Sequence, residues 1–232
     1  MIVLGLDTAT PATTVALLDS ARPGEASERR HEPRAGERPG HAGQLLRFAA
    51  ELLAGAGLRF GDVDRIAVGL GPGTFTGLRI GVATARALAQ SAGTELVGVS
   101  TLRALAVEAE RAAPAETGIL AVIDARRGEA FAAGWRGGAP VLDQVAAAPE
   151  RLAELVAREG GAWLAVGDGA LRFREDLERA GCTVAPDESE RHGVRAPAVC
   201  RLALAASEGT ARDLVVPDYL RPPDAVLPRK DI

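Results

Sequence analysis

The sequence predicts an α/β protein of two related halves, each a mixed β-sheet flanked by helices. Apolar residues make up 47% of the 232 residues and aromatic residues only 3%, so the core must be built from Ala, Val, Leu and Ile. Two apolar strands, which end at Asp7 and at Asp124, each lead into a turn, and this similarity indicates a repeated unit. In the first half a hairpin precedes alternating helices and strands, an order typical of a mixed sheet with an antiparallel edge.

The elements of the first half follow from apolar runs and from helical spacing. Apolar or β-branched runs predict strands at residues 2–6, 13–18, 65–70 and 95–99, with a solvent-facing edge strand within 25–31. Apolar positions three and four apart predict helices at 40–55 and 74–91, and Ser100 begins a third helix. This order fits a ribonuclease-H-like fold better than a sheet of βαβ units.

The second half partly repeats this order. Strands are predicted at residues 118–124, 129–135 and 163–166, and helices at 149–159, 170–180 and 197–207. We therefore expect a first lobe at 1–100 that a helix at 197–209 completes, a second lobe at 101–195, and an extended tail at 210–232.

Composition narrows the functional classes. The net charge is −4 and the pI about 5.5, without the basic field that a protein binding nucleic acid unaided usually shows. Cys182 and Cys200 lack metal-ligand spacing, which indicates two reduced thiols in a cytosolic protein. Residues 1–7 do not have the pattern of a signal peptide, and no segment approaches the roughly 20 apolar residues of a membrane span.

The most informative stretch is residues 69–79, which place four glycines and a proline at a strand-to-helix turn. Backbone N–H groups at such a turn can bind a phosphate or carboxylate, with Gly71, Gly73 and Thr74 as the candidate residues. The same glycines could instead make only a tight turn. Gly77-Leu78-Arg79 stands where a Walker motif needs Gly-Lys-Ser/Thr, and the GxGxxG dinucleotide fingerprint is also absent.

The turn after the first strand is a second candidate for binding phosphate. In actin-like and sugar-kinase folds this turn wraps the phosphates of ATP and its leading Asp helps to place a metal, so Asp7, Thr8 and Thr10 are candidate vestigial nucleotide-loop residues. Ala9 adds a Cβ where those folds usually have Gly. Asp7 as a hydrogen-bonding residue at a strand end is the favoured alternative.

His41 begins a helix, but the sequence offers it no partner ligand. Gln44 and Leu45 occupy the positions where a second His would lie, and His31 and His192 are placed in distant loops. A capping or surface role is therefore favoured for His41. We predict no metal site.

The turn of the second half carries Asp124, Arg126 and Glu129. These side chains could form an acid–base pair, although a local Arg–carboxylate turn is favoured. The Ser-His-Asp arrangement and the Gly-x-Ser-x-Gly motif are both absent, so no catalytic residue is predicted.

Surplus apolar surface on the helices at 40–55 and 74–91 suggests a partner protein, although such residues usually pack against a protein's own sheet. The sequence does not show which of these residues pack against the chain's own sheet and which contact a partner. We therefore treat seven residues as candidate partner contacts: Leu45, Ala49, Leu52, Leu53, Gly77, Gly81 and Ala85. A Gly81→Leu change is expected to weaken pairing while leaving the lobe folded.

Six segments occur in a fixed order along the chain: residues 2–10, His41 with 44–46, 71–81, 98–102, 123–129 and 219–221. The segments GPGTFTGLRIG (71–81) and IDARRGE (123–129) are specific, and the others support them by their order. Together they closely resemble the bacterial TsaB (YeaZ) family over nearly the whole chain.

The resemblance implies two ribonuclease-H-like lobes of the actin/Hsp70/sugar-kinase (ASKHA) superfamily. It also implies a cytoplasmic scaffold subunit in the formation of threonylcarbamoyladenosine beside the tRNA anticodon. In that family a larger paralogue, the TsaD transferase, is bound through first-lobe helices, a TsaE ATPase joins, and the same surface supports homodimers. The resemblance further implies that partner subunits use ATP and metal. It implies that the chain contacts tRNA only through the complex and does not bind a membrane.

Two enzyme alternatives remain open from the sequence. One is an ATP-dependent phosphotransferase that uses Asp7, Asp124 and the loop at 71–73. The other is a metallopeptidase centred on His41. The absence of paired histidines and of a glycine in the first turn favours the scaffold.

Overall fold

The computed structural model describes residues 1–22, 24–34 and 36–221, and its first half forms one five-stranded sheet. The strands are β1 (Ile2–Asp7), β2 (Thr13–Asp19), β3 (Ser27–His31), β4 (Arg65–Gly71) and β5 (Glu95–Ser100). Their order is β3-β2-β1-β4-β5, with β1, β2 and β3 antiparallel and β1, β4 and β5 parallel.

The second half forms a second five-stranded sheet. Its strands are β6 (Gly118–Arg126), β7 (Glu129–Arg136), β8 (Ala139–Ala147), β9 (Trp163–Val166) and β10 (Cys182–Val184). Their order is β10-β9-β6-β7-β8. Taken from its other edge, β8-β7-β6-β9-β10, this order corresponds strand for strand to β3-β2-β1-β4-β5 of the first sheet. The predicted α/β class with two mixed sheets is confirmed, whereas β8 and β10 were not predicted.

Seven α-helices flank the sheets within the part of the chain that the structure describes. They are α1 (His41–Gly55), α2 (Phe75–Ala92), α3 (Thr101–Glu110), α4 (Pro149–Glu159), α5 (Asp168–Arg172), α6 (Arg174–Arg179) and α7 (Ala196–Ala205). The single helix predicted at 170–180 is in fact two, separated at Phe173. None of the helices in the described ranges is long and apolar enough to cross a bilayer.

Alternation along the strands creates two faces on the first sheet. Leu4 and Leu6 of β1 belong to the cluster that α1 and α2 cover, whereas Val3 belongs to the cluster that α3 and α7 form between the two sheets. Helix α7 packs on β1 and β2 of the first sheet although it follows the second half in sequence. The predicted lobe limits at residues 100 and 195 stay a prediction.

Both cysteines are free and buried. Cys200 of α7 lies against β1, where a side chain at Gly5 would come within 2.6 Å of its sulfur atom. Burial raises the pKa of Cys200 to about 12 and that of Cys182 to about 11, so both thiols stay protonated and act as small apolar groups.

Residues 210–221, here called the strap, run from the first lobe to the second. Val215 is buried in the first-lobe core. Hydrogen bonds that tie the strap to the rest of the chain include Thr210 N–H to Leu96 O (2.8 Å), Asp218 N–H to Leu70 O (2.7 Å), Gln144 Nε2 to Asp218 Oδ2 (2.8 Å), Arg221 Nη1 to Glu129 Oε2 (2.7 Å) and Arg221 Nη2 to Ala125 O (2.8 Å). The rest of the predicted tail, 222–232, lies outside the described residues.

Candidate functional site

Asp7 ends β1 with its side chain fully buried. The Ala9 N–H donates to its Oδ1 (2.8 Å) and the Thr101 hydroxyl donates to its Oδ2 (3.1 Å). A Cβ at Gly69 would overlap the carboxyl group, so glycine is needed there. Burial raises the pKa of Asp7 to about 6, and the two hydrogen bonds oppose that rise. The sealed carboxyl supports the strand-end interpretation over metal placement.

The glycine loop is filled by the chain's own first turn. The Thr74 N–H donates to the Ala9 carbonyl oxygen (2.7 Å), and a Cβ at Gly73 would overlap that oxygen. The Gly71 N–H donates to the Thr101 hydroxyl (3.2 Å), and Gly71 has a φ of +113°, which side-chain-bearing residues rarely adopt. Two donors that an anion would need are therefore already used, which favours the tight-turn interpretation.

The stripe of small residues lets α2 lie directly on the turn between β1 and β2. The Thr8 hydroxyl donates to the Gly77 carbonyl oxygen (2.7 Å). A Cβ at Gly77 would overlap the Thr8 carbonyl oxygen, and one at Gly81 would overlap the Thr8 hydroxyl. This packing argues against the expectation that Gly81→Leu leaves the lobe folded, because the added side chain would enter the core.

All seven predicted partner contacts face the chain's own core. Each is buried, with at most 4% of the surface of the four α1 residues and of Ala85 exposed: Leu45, Ala49, Leu52, Leu53, Gly77, Gly81 and Ala85. Their burial gives no support to their assignment as partner contacts, which stays a prediction, and the reason is simple. The largest apolar residues of an amphipathic helix cover the sheet beneath it, and they are the residues that periodicity identifies first.

The outward faces of α1 and α2 are also apolar, but they carry small side chains. The two helices pack side by side. On α1, Leu46 is 50% exposed, and its neighbours on the same face are Ala42, Gly43 and Ala50. On α2, Phe75 is 39% exposed and Ile80 is half-buried, beside exposed Thr76, Ala83 and Ala87. We call these residues the α1/α2 face. The sequence signal for it was Leu46, a large apolar residue that lies outside the buried stripe of α1 at positions 45, 48, 49, 52 and 53.

A groove of about 520 Å³ runs beside α2, where the strap forms its second wall. Its lining comprises Arg79, Val82, Ala83, Arg86, Ala87 and Gln90 of α2 with Pro217 and Tyr219 of the strap. The Arg79 guanidinium lies over the Phe75 ring, 3.7 Å from its centroid, and Arg79 Nε donates to the Tyr219 hydroxyl (3.1 Å). The Phe75 and Tyr219 ring centroids are 5.2 Å apart.

His41 is buried at the start of α1, with its Nδ1 2.8 Å from the Thr13 hydroxyl. Burial lowers the pKa of His41, and nearby His31 lowers it further. The expectation that His31 lies in a distant loop is wrong, because β3 pairs His31 with Thr13. Among the residues described, no three His, Cys, Asp or Glu side chains are grouped to hold a metal ion.

The turn between β6 and β7 is a local network of arginines and carboxylates, as favoured from the sequence. Asp124 Oδ1 accepts from the Arg126 N–H and Asp124 Oδ2 from Arg172 Nη1, both at 2.8 Å. Arg126 and Arg127 have positive φ values of 63° and 56°, so the hairpin turns in the left-handed region. Glu129 pairs with Arg221 of the strap and not with Asp124.

Thr10 is separate from the other nucleotide-loop candidates. It lines a cleft of about 200 Å³ between the lobes, together with Asp168 and His192 of the second lobe. Burial raises the pKa of Asp168, whose Oδ1 accepts from the Asp124 N–H (3.1 Å). His192 is held by backbone carbonyls, with Nδ1 2.9 Å from Gly167 O. Asp168 and His192 are thus already hydrogen-bonded within the chain.

Sequence comparisons relate the chain to proteins of tRNA modification. A family model described as "TsaD: tRNA N6-adenosine threonylcarbamoyltransferase" matches residues 33–162. The tRNA threonylcarbamoyladenosine biosynthesis protein TsaB of Escherichia coli K12 is 35% identical over 180 residues, which cover 73% of this chain and 72% of that protein.

Solved structures extend the similarity to the fold. YeaZ from Pseudomonas aeruginosa is 31% identical, with a TM-score of 0.77 and coverage of 94% of this chain and 99% of that chain. A ROK hexokinase from Thermus thermophilus is 15% identical, with a TM-score of 0.53 and coverage of 88% and 99%, a likeness in fold alone. The neighbours agree with the predicted ASKHA architecture of two ribonuclease-H-like lobes.

Proposed function

This chain belongs to the TsaB (YeaZ) family of tRNA threonylcarbamoyladenosine biosynthesis, and we propose that it is a non-catalytic subunit there, which binds and activates a TsaD-like transferase. The observation that carries the proposal is the α1/α2 face. It offers Leu46, Phe75 and Ile80 among small residues on two packed helices, so that another protein can come close to it. Apolar surface of this kind is typical of the centre of a stable interface.

The sealed first turn supports a role without catalysis. A phosphotransferase would need Asp7 to reach a metal and the loop at 71–73 to reach phosphate. Here Asp7 is fully buried, and the Ala9 carbonyl oxygen occupies the loop. A metallopeptidase centred on His41 would need further ligands, whereas the Nδ1 of His41 is hydrogen-bonded to Thr13.

The remaining parts of the proposal concern partners and location. The chain binds no cofactor of its own, and ATP and metal serve its partners, the transferase and a TsaE-like ATPase. tRNA is contacted only through the assembled complex, which works in the cytoplasm and not at a membrane. In the absence of the transferase, the α1/α2 face pairs two copies of this chain.

The test mixes the full chain with its cognate transferase and measures complex mass, affinity and tRNA modification together. Ala83→Trp places a bulky side chain on the α1/α2 face and is expected to weaken the complex at least about tenfold and to lower modification in parallel. Ala157→Trp is the matched control, since Ala157 is equally an exposed helical alanine but lies on α4 of the second lobe.

Wild-type affinity of the Ala83→Trp variant would contradict the location of the interface. Tight binding of Mg-ATP by the isolated chain in calorimetry would favour the phosphotransferase. Stoichiometric zinc or iron in the purified chain would favour the metallopeptidase.

A further inference from the structure

Helix α2 carries an unbalanced positive charge on the side that faces solvent. Its 18 residues include Arg79 and Arg86 but no Asp or Glu. Seven residues apart, the two arginines lie two turns from each other on one side of the helix, and both line the groove beside the strap. Among the residues that the structure describes, neither forms an ion pair. By contrast, Arg47 and Glu51 of neighbouring α1 pair with each other.

The groove holds one of these cations in a fixed position. Arg79 stacks on the Phe75 ring and bonds to the Tyr219 hydroxyl through Nε, which leaves its two terminal nitrogens free to donate. The floor between the arginines is apolar, with Val82, Ala83 and Ala87. A preorganised guanidinium beside an apolar floor suits a carboxylate, because less rotamer entropy is lost on binding.

We propose that this groove receives a helix of the TsaD-like transferase whose carboxylate side chains pair with Arg79 and Arg86 across the apolar floor. The inference rests on the proposed function and adds to it the chemistry of the partner. Protein is favoured over RNA because the floor is apolar and because the net charge of the chain, −4, opposes binding of a phosphate backbone.

The same charges disfavour pairing of the chain with itself. A symmetric dimer through α2 brings the same patch of both copies together, so four unpaired arginines would share one interface. Like charges in an interface oppose the wrong partner, whereas opposite charges favour the right one. The two complexes should therefore respond to salt in opposite directions, since salt screens attraction and repulsion alike.

The experiment measures affinity of the full chain for its cognate transferase and for itself at about 50 mM and about 500 mM NaCl. We expect transferase binding to weaken with salt and self-association to strengthen. Arg86→Glu should weaken transferase binding about tenfold at low salt, with less effect at high salt. The control is Arg158→Glu, a charge reversal at an exposed arginine of α4.

The outcomes separate this inference from the proposed function. If Ala83→Trp disrupts the complex but Arg86→Glu binds like the unaltered chain, the α1/α2 face is supported as the interface. The proposed pairing of the arginines with carboxylates of a transferase helix is then refuted. If no complex forms with the unaltered chain, both are refuted. Binding of tRNA by the isolated chain that Arg86→Glu abolishes would assign the groove to RNA and overturn the inference, as would self-association that weakens with salt.

Discussion

Replacing Asp7 by Asn should make the protein more stable at neutral pH and have little benefit in acid. Burial raises the pKa of Asp7 from the ordinary aspartate value of 3.8 to about 6. The folded state therefore holds the proton more tightly than the unfolded state. The stability that this bound proton contributes is complete below the pKa of Asp7 in the unfolded state. It is lost as the pH rises through the pKa of Asp7 in the folded state.

The size of the effect follows from the difference in pKa. A difference of about 2 corresponds to about 3 kcal/mol of stability that the ionised carboxylate forfeits above pH ~6. Asparagine stays neutral and keeps an oxygen for the Ala9 N–H. The amide nitrogen of asparagine replaces Oδ2, the oxygen that accepts the hydrogen bond from the Thr101 hydroxyl. The change in that bond lowers the free energy of unfolding by about 1 kcal/mol at every pH. The pH-dependent part is thus the diagnostic quantity.

The assay is urea unfolding of both proteins between about pH 4 and pH 8. The stability of Asp7→Asn relative to the unaltered protein should rise by about 3 kcal/mol across that range, or about 6–12 °C in melting temperature. Asp143→Asn, a neutralisation at an exposed position of β8, is the control and should show no such trend. A constant difference between Asp7→Asn and the unaltered protein from pH 4 to pH 8 would refute the reasoning.

Three further changes test other contacts. Gly81→Leu should destabilise the isolated chain by more than about 2 kcal/mol, because its side chain would enter the space of Thr8, whereas Gly43→Leu, where a Cβ meets nothing within 4 Å, should leave the free energy of unfolding undiminished. His41→Gln should reduce the stability lost as the pH falls below about 6.5, since the lowered pKa of His41 means that its contribution disappears on protonation. Arg221→Ala should cost about 1 kcal/mol and speed amide exchange in the β6–β7 turn, because two hydrogen bonds to the second lobe are lost.

Each of these has a clear contrary result. Equal chemical denaturation midpoints for the Gly81 and Gly43 variants would contradict the close packing of α2. If His41→Gln loses as much stability below about pH 6.5 as the unaltered protein does, protonation of His41 does not cause that loss. Exchange in the turn that does not respond to Arg221→Ala would mean that the strap does not hold the second lobe.

Much of the fold was predictable because strands and helices leave period-specific patterns. The apolar runs ending at Asp7 and Asp124 correctly indicated the repeated halves. Strand β8 was missed because a Pro at position 140 and two consecutive polar residues, Asp143 and Gln144, weaken the strand pattern, and β10 is only three residues long. Short edge strands gain their stability from pairing with a neighbour, which a local pattern does not record.

The candidate site was harder to predict, because it depends on which side of each helix faces the sheet. The sequence correctly identified α1 and α2, but it assigned Leu45 and Gly81 to a partner when they contact the protein's own core. Leu46, next to Leu45, is the exposed residue. The proximity of His31 to His41 depends on strand register, and no local spacing encodes a contact made across two strands.

The strap has a mechanical consequence for the two-lobed body. A clamshell motion of the kind that closes kinases around their ligands would have to break the bonds of Asp218 to Gln144 and of Arg221 to Glu129. While these bonds are intact they oppose relative motion of the two halves, so a partner bound to one half also restrains the other. A protein that binds α1 and α2 would thereby also fix the position of the β6–β7 turn, because Arg221 ties that turn to the strap and Tyr219 ties the strap to α2.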